Sequence, residues 1–241
     1  MEKEFLLAAI DKFHLNGIIE KTKWNVKSEI LNVKFVSPNK DMTGNVFIDG
    51  FTELANEDIA IFNISQLYKL IGITNKDLKL GTTKQHKVST KLTISDETFN
   101  LEYALSEPML IPKVPEITEP TYEFEFPIDK DLIENFIKAR KAITATETVT
   151  VTMTFNDKGK GIITFIIGEN NEYSNKVNFS IPSTRMSIPL PDMIFSIDYI
   201  REIFDVNKDL ETGTGFINSD GLMKMHFIRK QISSTYFLIA K

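Results

Sequence analysis

With 241 residues, 42% of them hydrophobic, the chain is long enough for two domains of about one hundred residues each or one larger one, and its composition argues against disorder. The absence of cysteine excludes disulfides, thiolate metal sites and cysteine nucleophiles. The formal net charge of -5 excludes a protein that coats nucleic acid with its whole surface, while leaving room for one locally basic face.

Residues 2–14 place Phe5, Leu6, Ala9, Ile10 and Phe13 on one face of an amphipathic helix that Asn16-Gly17 should end. Strand-like runs follow at 18–26, around Leu31, Val33 and Phe35, at Val46 with Ile48, and at Ile59 with Ile61. Ser65 is the expected N-cap of a short helix carrying Leu67, Leu70 and Ile71. Alternating runs at 77–80, 88–94 and 99–105 complete this half. A turn is expected after Gly81, with Lys84, His86 and Lys87 around it.

Residues 106–121, SEPMLIPKVPEITEPT, contain Pro108, Pro112, Pro115 and Pro120, which lack backbone donors and push the preceding residues towards extended conformation. A stiff connector is expected, dividing the chain into domains 1–105 and 122–241. Its apolar residues either rest on their own domain or border a docking groove.

Beyond the connector, 122–127 alternates as a strand, and Asp129 should cap a helix burying Leu132, Ile133, Phe136 and Ile137. The β-branched run 148–155 should turn Val149, Val151, Met153 and Phe155 to one side. Asn156-Asp157-Lys158-Gly159 supplies turn chemistry before strands at 161–167 and 176–181. Asp198 should cap a second short helix with Ile200, Ile203 and Phe204, and strands at 212–217, 222–228 and 235–240 close the chain.

The two short helices repeat. Residues 62–73, FNISQLYKLIGI, and 195–206, FSIDYIREIFDV, align without gaps, sharing the leading Phe, the Ile two places on and the apolar spacing. Any two amphipathic helices share some of that spacing, but here the surrounding order of elements repeats as well.

On the SIDYIREIF helix, the proline-bearing connector between similar halves and the closing run YFLIAK, the chain resembles the sliding DNA clamps, polymerase processivity factors. Within them it is most similar to the T-even-type bacteriophage and proliferating-cell-nuclear-antigen (PCNA) types. The resemblance implies an α+β fold of two similar domains with helices on one face of antiparallel sheets, closing into a ring as a homotrimer. The helices would line the hole around duplex DNA, and the strand edges 99–105 and 176–181 would meet between subunits. It also implies a DNA polymerase as partner and an ATP-dependent clamp loader, since the chain has no phosphate loop of its own.

The helix from Asp129 fits such a placement, because its polar face carries Lys130, Lys138, Arg140 and Lys141 with Glu134. Lys69 and Arg201 lie at polar positions of the short helices, and Lys3 and Lys12 on the first helix, so all eight are DNA-facing candidates. By resemblance, a partner-peptide groove takes Met109, Leu110 and Ile111 from the connector, Leu238, Ile239 and Ala240 from the carboxyl end, and Val36 and Met42 beneath. A competing reading is a viral structural or assembly protein whose repeat serves only oligomerisation.

No nucleophile elbow or metal spacing is present, and His14, His86 and His226 are far apart, so no enzyme, cofactor or metal is expected. No apolar run approaches the roughly 20 residues that cross a bilayer, and Met1-Glu2-Lys3-Glu4 lacks a basic signal start. A cytoplasmic location is expected, in the host if the protein is viral.

Overall fold

A computed structural model describes residues 1–54, 56–86, 88–168 and 174–241. They form two compact units, Met1–Pro115 with Lys230–Ser234, and Glu116–Arg229 with Thr235–Lys241.

In the first unit, α1 (Lys3–His14) buries Leu6, Ala9, Ile10 and Phe13. Leu15 and Asn16 then take left-handed φ values of 50° and 52°, which stops the helix in a 3-10 turn. The strand expected from Ile18 begins only at Thr22. The amides of Ile18 and Ile19 instead donate back to Leu15 and His14 at 3.2 and 3.1 Å and complete the turn.

Strands β1 (Thr22–Lys27), β2 (Ile30–Val36), β3 (Met42–Asp49) and β4 (Asp58–Ile61) then lie in the order β3-β2-β1-β4, with antiparallel neighbours. Their period-two pattern sends Trp24, Val26, Leu31, Val33, Phe35, Val46 and Ile48 to the core, where α1 packs on β2 and β3. Phe13 meets Trp24 edge-on at 6.0 Å. The Phe35 ring covers Gly44, its cross-strand partner, so closely that a side chain at 44 would occupy the ring's position.

Helix α2 (Ile64–Gly72) packs beside α1, and β5 (Lys79–Gln85), β6 (Val88–Ser95) and β7 (Asn100–Ala104) form an antiparallel meander. The strand runs straight through Gly81, which pairs with Thr93. The hairpin falls instead at His86, whose φ is 48°, while Lys87 lies outside the described residues.

The second unit opens with β8 (Phe124–Pro127) and α3 (Lys130–Ala142), whose N-cap Asp129 accepts from the Leu132 amide at 2.8 Å. Its buried face is Leu132, Ile133, Phe136 and Ala139 rather than Ile137, because Phe136 sets the helix rotation. That ring meets Phe165, Phe179 and Phe204 edge-on at 5.9, 6.3 and 5.2 Å.

Strands β9 (Thr148–Phe155), β10 (Gly161–Gly168), β11 (Lys176–Pro182), β12 (Arg185–Met186) and β13 (Leu190–Ser196) follow. Phe155 is 42% exposed, since it pairs with Gly161 where the hairpin runs past the core. Strand β13 escapes sequence reading because Pro189 and Pro191 break its pattern, and a bulge between Leu190 and Met193 absorbs the second of them.

Helix α4 (Ile197–Val206) packs on α3, β9 and β13. The chain continues through β14 (Thr212–Ile217), β15 (Leu222–Arg229) and β16 (Ile232–Ile239). The sheets of this unit run β11-β10-β9-β13 and β12-β8-β14-β15-β16. The fold class is α+β, with two α-helices and antiparallel sheets among the described residues of each unit.

Candidate functional site

Helices α2 and α4 begin at equivalent repeat positions, Ile64 and Ile197. Neither expected cap acts as one, because both side chains bond elsewhere. Asn63 caps α2, accepting from the Gln66 amide at 2.8 Å, and Ser196 occupies the cap position of α4 without a side-chain bond. Asp198 takes the Arg140 guanidinium at 3.1 Å and Arg201 Nε at 3.8 Å, tying α4 to α3.

Ser65 donates its amide to Glu20 Oε2 at 3.0 Å and its hydroxyl to Glu20 Oε1, and it lies 3.0 Å from His14 Nε2. This is no hydrolytic triad, since Ser65 and Glu20 approach the same His14 nitrogen and no relay runs through the ring. Burial raises the Glu20 carboxyl, but bonds from the Ser65 hydroxyl and amide and from His14 outweigh it and hold the pKa below its ordinary 4.5.

A lowered carboxyl contributes stability above its unfolded pKa and loses it as pH falls through the folded value. Ser65→Ala is therefore expected to cost about 1 kcal/mol at neutral pH. The variant and parent should converge in acid, as read by urea unfolding at several pH values. An equal loss at every pH would show that Glu20 plays no part.

The polar face of α3 carries Lys130, Lys138, Arg140 and Lys141 against Asp131 and Glu134, whereas α4 carries Arg201 against Asp198, Glu202 and Asp205. The net positive charge is thus a property of α3, and of its carboxyl end in particular. Lys138 is exposed and pairs with Glu134 at 3.1 Å, one helical turn back. Lys141 is exposed and forms no ion pair among the described residues.

Arg140 is committed to structure. Its guanidinium donates to the Ile143 and Thr144 carbonyls at 2.9 Å each, closing the helix end, as well as to Asp198. Arg140, Lys141 and Arg201 line a cleft of about 450 Å³ with Ile137, Thr144, Asp198 and Asp205. Arg201 also pairs with Glu202. Lys130 stands about 12 Å along the helix from Lys138, in a separate cleft with Asp129, Asp131 and Glu211.

In the first unit Lys69 is exposed in the last turn of α2. Lys3 turns back to that helix end, donating to the Thr74 carbonyl at 2.9 Å and the Gly72 carbonyl at 3.4 Å. Lys12 is only 2% exposed, so its ammonium is not offered to solvent and it leaves the phosphate-facing candidates.

Of the groove candidates, Met109 is 82% exposed, Leu110 55% and Ile239 56%, while Ile111 and Ala240 are half-buried. Val36, Met42 and Leu238 are buried. Met42 and Leu238, each 1% exposed, belong to the cores of their own units and are not available as groove surface.

Sequence reading missed a cluster in the second unit, where the Lys224 ammonium lies 5.4–6.0 Å from the rings of Tyr122, Phe216 and Phe237 and 2.5 Å from Glu119. Burial, aided by the Glu119 charge, pushes the Tyr122 hydroxyl up to about 12. The sheet joins these residues across about a hundred positions of sequence, and no local pattern signals that. Among the described residues, no group of three or more His, Asp or Glu is placed to hold a metal, and no helix is long and apolar enough to cross a membrane.

Two units of helices on antiparallel sheets, joined by a proline-bearing connector, define the PCNA-like sliding-clamp fold. PCNA from Entamoeba histolytica matches with a TM-score of 0.77 at 13% identity, over 100% of this chain and 96% of that one. A. fulgidus PCNA, in a complex with the C-terminal region of FEN-1, matches with the same TM-score and coverage at 15% identity. No family model and no curated protein sequence matches the chain.

Proposed function

We propose that this chain is the subunit of a non-enzymatic sliding clamp that encircles duplex DNA without sequence preference and tethers a DNA polymerase to raise its processivity. The observation that carries the reading is a clamp fold spanning the entire chain, in which α3, with four basic against two acidic residues, exposes Lys138 and Lys141 opposite its buried face. Lys69 extends the proposed phosphate-facing set. Arg201 and Lys130 are peripheral to it because neighbouring carboxylates offset them, and Arg140 and Lys3 act by holding helix ends in place. Contacts to backbone charge alone would let the ring slide.

Three copies would close head to tail, with β7 of one subunit against β11 of the next, and an ATP-dependent loader would open the ring. Within the family we place the chain with the T-even-type bacteriophage clamps, acting in the host cytoplasm, on the SIDYIREIF helix and closing strand. Native mass measurement tests the assembly. About three times 27.5 kDa is expected, and a monomer at replication-relevant concentrations would sink the ring.

The tether is proposed to be a polymerase tail peptide lying on Met109, Leu110 and Ile111 of the connector. The FEN-1 C-terminal region bound to the A. fulgidus protein offers a precedent for tail binding. Leu110 is 55% exposed, so Leu110→Glu should leave thermal stability nearly unchanged while weakening the tail peptide about tenfold or more, as loss of a central apolar anchor does. A folded variant with parental affinity would move the docking site elsewhere.

A further inference from the structure

The two units treat one edge of their repeated sheets differently. Strands β5 and β6 pair in the register of β14 and β15, Lys79 with Ser95 and Thr212 with Ile228. Each residue stands 133 positions before its counterpart (79 against 212, 95 against 228), the interval that separates the helical runs 62–73 and 195–206. Thr82 of β5 therefore corresponds to Gly215 of β14. In the second unit β8 covers the outer side of β14, pairing residues 124–127 with 214–217. In the first unit the outer side of β5 has no strand against it among the described residues.

Backbone bonds identify the groups left open. The Met1 amine donates to the Leu78 carbonyl at 2.9 Å and the Leu78 amide to the Met1 carbonyl at 2.8 Å, while the Lys3 amide donates to the Lys76 carbonyl at 2.7 Å. Outward groups recur at every second residue of an antiparallel edge. The next are the amides and carbonyls of Leu80 and Thr82, ahead of the bulge between Thr83 and Lys84, and none of the four has a backbone partner among the described residues. The hairpin is also basic throughout, since residues 79–95 contain four lysines and no acid on a protein of net charge -5. Glu57 and Glu102 pair with Lys84 and Lys91, whereas Lys79 is exposed and forms no ion pair among the described residues.

We propose that the β5 edge accepts an extended segment of a partner protein as a further antiparallel strand, with acidic residues on its solvent face and small or β-branched residues on its inner face. Charge selects the first property, because an acid opposite Gly81 is a diagonal neighbour of Lys79. The same lysines oppose pairing with the β5 edge of a second copy. Space selects the second property. The Phe126 ring of β8 fills the position that a Cβ on Gly215 would take, but Thr82 has a side chain there, donating to Glu57 at 3.2 Å. A ring opposite Thr82 is thus excluded, and with it a β8 strand from another copy. A peptide answers both open amides and both open carbonyls, whereas phosphates have no donor for the carbonyls. The inference stands on the first unit's own sheet and needs neither the ring nor the groove at Leu110.

The test is amide hydrogen exchange of the full chain, resolved by NMR, with the peptide Glu-Val-Glu-Val-Glu-Val-Glu, beside fluorescence anisotropy of its fluorescein-labelled form. Exchange at Leu80 and Thr82 should slow about tenfold or more, while Gly81 and Thr83, whose amides point to β6, change little. Methylating one Val nitrogen that donates to the edge should weaken binding about tenfold, and methylating a Glu nitrogen should not. Phe in place of Val should weaken it similarly, and Thr82→Gly should remove that penalty. Lys79→Glu should weaken the acidic peptide severalfold at low salt but spare one with Gln for Glu. Leu110→Glu should leave the affinity unchanged, so failure of the tail groove and failure of this edge are distinguishable. No binding by the parent, equal affinity for the Val-methylated peptide, or protection lying outside residues 79–85 would overturn the proposal. So would protection that rises with protein concentration alone, which would give the edge to a second copy, or a DNA duplex that displaces the peptide.

Discussion

Replacing Lys138 and Lys141 together with glutamate is expected to reduce clamp-dependent processive synthesis by about tenfold or more at moderate salt, while the protein stays folded and assembled. Each subunit would trade two cations for two anions on the exposed face of α3, and in the proposed ring the change would repeat in every subunit. Stability should barely move. Among the described residues the bond lost is the i, i+4 pair of Lys138 with Glu134, which on a solvated helix contributes roughly 0.3–0.5 kcal/mol. Primer extension with a loaded clamp, measured across a salt series beside a thermal melt, reads both quantities. Parental processivity at every salt concentration would remove these lysines from the DNA-facing set.

A proline in β11 is expected to weaken the assembly about tenfold at each interface, the scale of one lost ladder bond with its carbonyl left unpaired. Among the described residues strand β11 is the outer strand of its sheet, paired with β10 on one side, and Asn178 and Phe179 lie opposite Ile166 and Phe165. Successive amides of an edge strand point alternately to the neighbour and away from it. One of Asn178→Pro and Phe179→Pro therefore removes an outward donor and spares the β10 pairing, while the other damages the fold. The outward variant should melt near the parent yet dissociate on dilution in analytical ultracentrifugation. If both variants assemble fully at low concentration, β11 is not the closing edge.

The Asp129 cap and the buried positions Leu132, Ile133 and Phe136 were legible because helix capping and the 3.6 period are local properties. The same holds for the alternation of β1–β3 and the Asn156-Gly159 turn, where the Asn156 side chain accepts from the Lys158 and Lys160 amides at 3.0 and 2.9 Å. The caps of α2 and α4 were displaced because long-range partners compete for Ser65 and Asp198, with Glu20 and Arg140 drawing them away from their own helix ends.

Basic residues are equally visible in sequence whatever their surroundings, which is why Lys3, Lys12, Arg140 and Lys141 looked alike. Only packing separates a buried Lys12, a Lys3 and an Arg140 that close helix ends, and an exposed Lys141.

By itself, the sequence determined the class of fold, the repeat of short helices, the proline-bearing connector and the concentration of positive charge on α3, since each depends on residue type and spacing along one stretch of chain. The tertiary structure alone decided that α3 rotates to bury Ala139 instead of Ile137 around the Phe136 ring cluster. It also decided that Lys23 and Lys34 meet across two strands beneath the connector. Those outcomes follow from contacts between residues far apart in sequence, where the volume of a ring or the register of a strand selects among arrangements that local pattern leaves equivalent.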